Sequence, residues 1–292
     1  MNTSLFAEPT GRGYITVVQN TKNSNYLDMA YAMALSIKNT QPEGYNNISI
    51  VCDDTTTVPK KYKKVFDHII PMPWGDNAKD SAWKLENEWK VYHCTPYEET
   101  IKLDADMLFL SDQSFLWSFG KQFDIYPCTT VKTYRNEIIT NDFYRKTFTS
   151  NSLPNIYSAL FYFKKTDQAQ EFFDLVELIT YNREKFFYEF LDHTRPLYFS
   201  TDVAYALAYK ILFGDIKTST EFCFTHMKTK LQNWNDDLDD EDWTKYININ
   251  FSNVYGLKLD MMNQKNILHY HVKHFLNKDI IKKLETACKN KI

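Results

Sequence analysis

The chain has 292 residues, 43% of them apolar, with 34 lysines and arginines against 37 acidic residues and a net charge of −3. That length closes one large α/β domain with a full core, while the balanced charge gives extensive nucleic-acid wrapping little electrostatic support. No window approaches the ~18 apolar residues of a membrane span.

The first residues, MNTSLFAEPTGRG, lack a basic start followed by an apolar run, and Cys52, Cys94, Cys128, Cys223 and Cys288 show no CxxC spacing. A soluble, cytoplasmic protein with reduced thiols is expected. GYITVVQN (13–20) reads as a buried parallel strand whose polar C-terminal end opens onto a site. Ser24 or Asn25 caps the next segment, where Leu27, Ala30, Tyr31, Ala34 and Leu35 recur at helical spacing. ISIVCDD (48–54) predicts a second strand, KKYKKVFD a helix, HIIPMPW a third strand, and Ala82, Leu85, Trp89 and Tyr92 an amphipathic helix. A strand then runs through Ile101 to Leu110, followed by strands at IYPCTTV and SALFYFKK (158–165). Helices are predicted around Ala169–Ile179 and over Thr201–Leu212, and NILHYHV (266–272) restores a short strand. Strand and helix alternate, so a mostly parallel central sheet flanked by helices is expected.

Chemistry concentrates in KLDADMLFLSD (102–112), which sets Asp104 and Asp106 inside an otherwise apolar run. Burying an unpaired carboxylate costs several kcal/mol or forces it to take up a proton, so the pair needs a cation or open solvent. On a strand, residues two apart share a face, and small Ala105 leaves room for close approach. A hard divalent ion, Mg²⁺ or Mn²⁺, fits, with substrate phosphates completing its shell. A structural role fits as well, one aspartate capping a turn and the other meeting a surface lysine. HYHVKH (269–274) brings His269, His271 and Lys273, and imidazole beside carboxylate tilts the choice toward Mn²⁺. His269 and His271 share a face if that segment is extended. The acidic run DDLDDED (236–242) lacks the glycine and terminal glutamate of an EF-hand loop and reads as a solvated loop.

The order of GYITVVQN…NYLDMAYAMALSI, WKLENEW…IKLDADMLFLSD, YSALFYF, STDVAYAL and ILHYHVK resembles glycosyltransferase family 8, the glycogenin and lipopolysaccharide galactosyltransferase family, over most of residues 13–275. The resemblance implies a GT-A fold, a metal-dependent transferase and a nucleotide-sugar donor, usually a UDP-sugar, with retention at the anomeric carbon. Position by position it implies that Asp104 meets the metal and the donor, Asp106 chelates the metal, and His269, with His271 as the alternate, completes the protein ligands. It further implies that Val18, Asn20 and Tyr26 hold the nucleotide, Tyr26 stacking on the base. Lys84 and Lys273 would lie near the donor phosphates, and Asp202 beside the transferred sugar. It also suggests one domain, with a nucleotide half over about 13–125, a donor-sugar and acceptor half over about 126–275, and a C-terminal helix or tail over 276–292.

The chain departs from the family pattern under the donor sugar, with Tyr157, Ser158, Ala159 and Val203, and its HYHVKHFL ending has neither the usual glycine nor K-P-W. Aromatic and basic residues over 133–157 suit an acceptor: a glycan, a lipid-linked saccharide, a protein tyrosine or a modified nucleobase. Two other readings are carried: a sugar-nucleotide or glycan binding module without catalysis, and a metal-dependent nucleotidyltransferase.

Overall fold

The structure, a computed structural model, describes residues 8–81, 84–234, 238 and 240–289. Its strands are β1 (Arg12–Val18), β2 (Ile48–Cys52), β3 (His68–Pro71), β4 (Glu99–Leu103), β5 (Met107–Phe109), β6 (Ile125–Cys128), β7 (Thr130–Lys132), β8 (Tyr157–Lys164), β9 (Cys223–His226), β10 (Ile249–Phe251), β11 (Leu257–Leu259), β12 (Met262–Asn263) and β13 (Ile267–His269). The large sheet has the order β3-β2-β1-β4-β8-β6. Its β3, β2, β1 and β4 are parallel, while β8 runs antiparallel to both β4 and β6. A second sheet has the order β5-β13-β9-β7, its β5 and β7 falling between strands of the large sheet in sequence, and β10-β11-β12 form a small antiparallel sheet. The expected mostly parallel, helix-flanked architecture is what forms.

Strand pleating separates the core into two sides. On β1, Tyr14 and Val18 join a cluster with the Tyr26–Thr40 helix, and Ile15 and Val17 join another with the Asp167–Tyr181 and Thr201–Phe213 helices. The first helix begins at Asn25, not Ser24: the Asn25 side chain accepts the Asp28 N–H at 3.1 Å. Gly13 is needed where it stands, because a Cβ there would fall 2.3 Å from the Tyr97 ring. No disulfide joins the five cysteines. Among the described residues, no helix is long and apolar enough to cross a membrane.

Several expected elements are broken, and the breaks build the site. The run through Asp104 is not one strand. β4 ends at Leu103 in the large sheet, Asp104-Ala105-Asp106 turn, and β5 begins at Met107 in the second sheet, paired with β13. Two carboxylates that need partners are thereby released from a ladder buried on both faces. IYPCTTV likewise divides, β6 pairing with β8 and β7 with β9. Among the described residues, the amphipathic helix expected over Ala82–Tyr92 is not continuous. Ala82 lies outside the described residues, Lys84 sits at φ 57° in the left-handed region, and only a 3₁₀ turn (Glu88–Lys90) and a one-turn helix (Val91–Cys94) follow. That periodicity came from Trp89 and Tyr92 packing against the sheet, not from a continuous helix. The KKYKKVFD helix is a single turn, Lys60–Lys63.

Candidate active site

A cavity of about 440 Å³ opens where the two larger sheets meet, and it gathers Asp104, Asp106, His269, His271, Lys273, Tyr26, Lys84 and Asp202 from five separate places in the sequence. Asp106 is its centre. Its Oδ2 lies 3.1 Å from His269 Nε2 and 2.5 Å from Lys273 Nζ, while the side chain is only 5% exposed. Burial pushes that carboxyl up, but the charges of His269 and Lys273 and their hydrogen bonds outweigh it and hold the group well below the usual carboxylate range. Asp104 faces the same histidine at 4.0 Å through Oδ2, while its Oδ1 accepts from Lys102 Nζ at 2.8 Å. Lys102 is fully buried and also meets Glu88 at 2.7 Å and the Ser158 carbonyl at 3.1 Å. Burial alone would pull the Lys102 amine down, yet Asp104 and Glu88 hold it above its ordinary value.

The second imidazole arrives by a route the extended reading of HYHVKH did not foresee. β13 stops at His269, and His271 adopts φ 50°, a left-handed backbone uncommon outside glycine, and its ring lines the site. Donor atoms of Asp106, His269 and His271 fall within 4.8 Å of one another. His269 Nδ1 is buried without a hydrogen-bond partner, as is Nδ1 of His226, whose ring centroid lies 4.9 Å from that of His269. Orphaned buried imidazole nitrogens beside a carboxylate are a donor set suited to a divalent cation. Burial, with the charges of Lys228 and His269, pulls His271 down to about 3, so its ring is neutral and its lone pair free at physiological pH.

Asp202 anchors the opposite wall. It lies in the first turn of the Thr201–Phe213 helix, but the cap is Ser200, which accepts the Val203 N–H. Both of its oxygens are engaged: Oδ1 accepts the Ser158 N–H at 2.8 Å and its hydroxyl at 2.7 Å, and Oδ2 accepts from Arg145 Nη1 at 2.6 Å. Arg145 is itself clamped, its guanidinium 3.6 Å from the Phe148 ring centroid and 4.1 Å from that of Tyr157, with Nε donating to Asn155 at 2.6 Å. Burial raises the Asp202 carboxyl, but Arg145 and the Ser158 hydrogen bonds bring it below its usual value.

Not every expected residue lines the cavity. Val18 is fully buried in the core, and its neighbours Val17 and Gln19, on the opposite face of the strand end, line the cavity instead. Asn20 accepts the Leu27 N–H at 3.1 Å, closing the loop that presents Tyr26. The Tyr26 ring does reach the cavity, with Lys273 Nζ 5.2 Å from its centroid. Lys84 lines the cavity while its Nζ donates to the Ala78 carbonyl at 2.6 Å and to that of Lys79. In the acidic run, Asp236, Asp237 and Asp239 lie outside the described residues, Asp240 pairs with Lys245, Asp242 accepts the Thr244 N–H at 3.2 Å, and Glu241 accepts from the hydroxyl of Tyr144, which lines the cavity.

No family model matches the sequence, and no curated protein matches it. Solved structures do. The galactosyltransferase LgtC, in complex with donor and acceptor sugar analogues, aligns at TM-score 0.51 and 8% identity over 95% of this chain and 96% of its own. An active-site mutant of LgtC gives TM-score 0.53, also at 8% identity, over 95% and 96%. The chain has the GT-A fold. Mouse xyloside xylosyltransferase 1 aligns at TM-score 0.46 and 12% identity over 90% of this chain and 99% of its own. Against the glycosyltransferase GlyE of Streptococcus pneumoniae the TM-score is 0.40 at 10% identity over 71% of this chain, which spans only 46% of GlyE.

Within this GT-A chain, sequence reasoning missed Arg145, Lys102, Glu88, His226 and Lys228, all of which line or support the cavity. Lys102 carried a usable signal, since a lysine in an apolar strand two residues before an aspartate is a charge in need of a buried partner. Nothing local marks Arg145 or His226; each is brought in from a distant segment.

Proposed function

We propose that this protein transfers a sugar from a nucleoside-diphosphate donor, of the UDP-sugar type, to an acceptor hydroxyl with the help of a divalent cation. The observation that carries this reading is the convergence, on a GT-A fold, of Asp106, His269, His271 and Lys273 on one cavity wall with an ionised Asp202 on the other. Asp106, His269 and His271 would hold the ion, Mn²⁺ or Mg²⁺, with Asp104 kept to its edge by Lys102. Its contribution when bound is to offset the negative charge of the diphosphate leaving group.

The rest falls to the chain's own side chains. Tyr26 at the cavity mouth offers a flat face to a base. Lys273 now rests on Asp106, and on ligand binding its ammonium is the nearest cation to turn toward a phosphate. Asp202 accepts three hydrogen bonds, so its lone pairs are committed and it serves as a fixed negative charge under a developing oxocarbenium ion in preference to a nucleophile. That arrangement suits retention by attack from the leaving-group side. Tyr144, Arg145, Phe148 and Tyr157, from the aromatic and basic 133–157 segment, line the acceptor end, which would take a glycan, a lipid-linked saccharide or a protein hydroxyl.

One observation favours a second reading. Asp104 and Asp106 already have ammonium partners in Lys102 and Lys273, so both carboxylates are satisfied without chemistry, which would suit a module that only binds sugar nucleotides. Incubating the purified chain with a panel of nucleotide sugars and Mn²⁺ separates the two. Donor hydrolysis supports the transferase; tight binding without hydrolysis or transfer supports the module. Release of pyrophosphate from nucleoside triphosphates and sugar phosphates would overturn both in favour of nucleotidyl transfer.

A further inference from the structure

The cations around the cavity divide unequally once their partners are assigned. Lys273 lies on Asp106, Arg145 on Asp202, Lys102 on Asp104 and Glu88, and Lys84 on two backbone carbonyls. Lys228 lines the same cavity, yet among the described residues its Nζ has neither an ion pair nor a hydrogen bond; it stands 4.5 Å from the Tyr144 ring centroid. The position is built, not incidental. Gln232 is fully buried and its Nε2 donates to the carbonyls of His226 at 2.7 Å and Lys228 at 3.1 Å, pinning the turn after β9 that presents the lysine. Burial pulls the Lys228 ammonium below its ordinary value, with Asp202 and Glu241 opposing that effect and Arg145 adding to it. A half-buried cation in a cavity wall with no direct ion pair or hydrogen bond is unfavourable until an anion enters.

On the transferase reading, the charge of a nucleoside diphosphate is met by the divalent ion and by Lys273, which leaves Lys228 for a further anion. Asp202 acts on it only from a distance, since both of its carboxylate oxygens are already committed to Arg145 and Ser158. We infer that Lys228 is the counter-ion for an anionic group, a carboxylate or a phosphate, on the saccharide end of the substrate: either the transferred sugar, as in a uronic-acid donor, or the acceptor. The placement of the saccharide rests on the transferase reading; the unpaired cation does not.

Isothermal titration of the full chain in Mn²⁺ with UDP, UDP-glucose and UDP-glucuronate, repeated for Lys228→Gln and Lys228→Arg, tests this. One charge-assisted hydrogen bond to carboxylate gives UDP-glucuronate about tenfold tighter binding than UDP-glucose in the parent and in Lys228→Arg, and no preference in Lys228→Gln. UDP itself should bind parent and Lys228→Gln alike. If the anion belongs to the acceptor, the preference moves to glucose 6-phosphate over glucose in the presence of UDP, with the same loss in Lys228→Gln. The inference falls if no anionic probe outbinds its neutral counterpart, or if Lys228→Gln weakens UDP, which would assign the lysine to the diphosphate. Should UDP fail to bind the parent, the transferase reading falls. Glucuronate and glucose 6-phosphate titrated alone then still decide the anion site, by binding the parent and not Lys228→Gln.

Discussion

Replacing Arg145 with methionine keeps a long apolar stem between Phe148 and Tyr157 but removes the charge that faces Asp202 at 2.6 Å. The arginine side chain is 8% exposed and the aspartate 28%, so the carboxylate left behind keeps some access to water. Breaking a buried pair from one side costs about 3–5 kcal/mol, and that exposure places this case near the lower bound, about 3 kcal/mol. For a chain of this length such a loss lowers the melting temperature by roughly 6 °C. The carboxyl of Asp202 is depressed in the folded parent, so its contribution is present above the unfolded value of about 3.9 and is lost as pH falls through the folded value. In the variant the sign reverses: desolvation now dominates, the unpaired carboxylate destabilises at neutral pH, and protonation relieves it. The gap between parent and Arg145→Met is therefore widest near pH 7 and closes toward pH 3. Urea unfolding of the parent, Arg145→Met, Asp202→Asn and the double variant at pH 7 measures the coupling. The double variant should recover at least half of the Arg145→Met loss. Strictly additive losses would show that Asp202 and Arg145 are not an energetic pair, and the account of that cavity wall would fail.

Asp106→Asn removes the group on which His269 and Lys273 converge, and metal-dependent donor turnover should disappear while far-ultraviolet circular dichroism is kept; unchanged turnover would refute the site. His271→Ala takes away one of the three candidate donors and should weaken Mn²⁺ about tenfold or more, read as the shift in melting temperature against metal concentration, and an unaltered titration would return the ion to Asp104. Lys102→Met strands buried Glu88 and should cost about 3 kcal/mol in urea unfolding, with Glu88→Gln in the same chain restoring much of it. Burial and neighbouring charge hold His226 and His271 below the unfolded imidazole value of about 6.5, so the unfolded chain binds more protons beneath that pH. Metal-free protein should accordingly lose stability on acidification from about pH 6.5, with a shallower slope in His271→Gln. Gly13→Ala drives a Cβ into the Tyr97 ring and should destabilise by about 1–3 kcal/mol, a result that thermal melts of that variant will test.

The apolar strands from Gly13 to Leu103 and the helix at Tyr26–Thr40 were legible, because burial on both faces of a parallel strand leaves a signature in each residue, whereas the helices expected around 60–67 and 82–92 were not borne out as such. The two aspartates and the late histidines were legible for the same physical reason, as charge in apolar company. Asn25, as a helix cap, follows a local rule and needed no tertiary partner. The site's actual chemistry was not local. How Asp104 and His271 are placed in the cavity depends on Lys102 reaching Glu88 and on a left-handed turn after β13, while the chain crosses from one sheet to another between Leu103 and Met107. Arg145, His226 and Lys228 enter the cavity from segments remote from the aspartates, and the charge that each presents is set by which counter-ion the fold brings to it. Periodicity records how much surface a residue buries; it carries no record of which distant group will be buried against it. That pairing was decided by the tertiary structure alone.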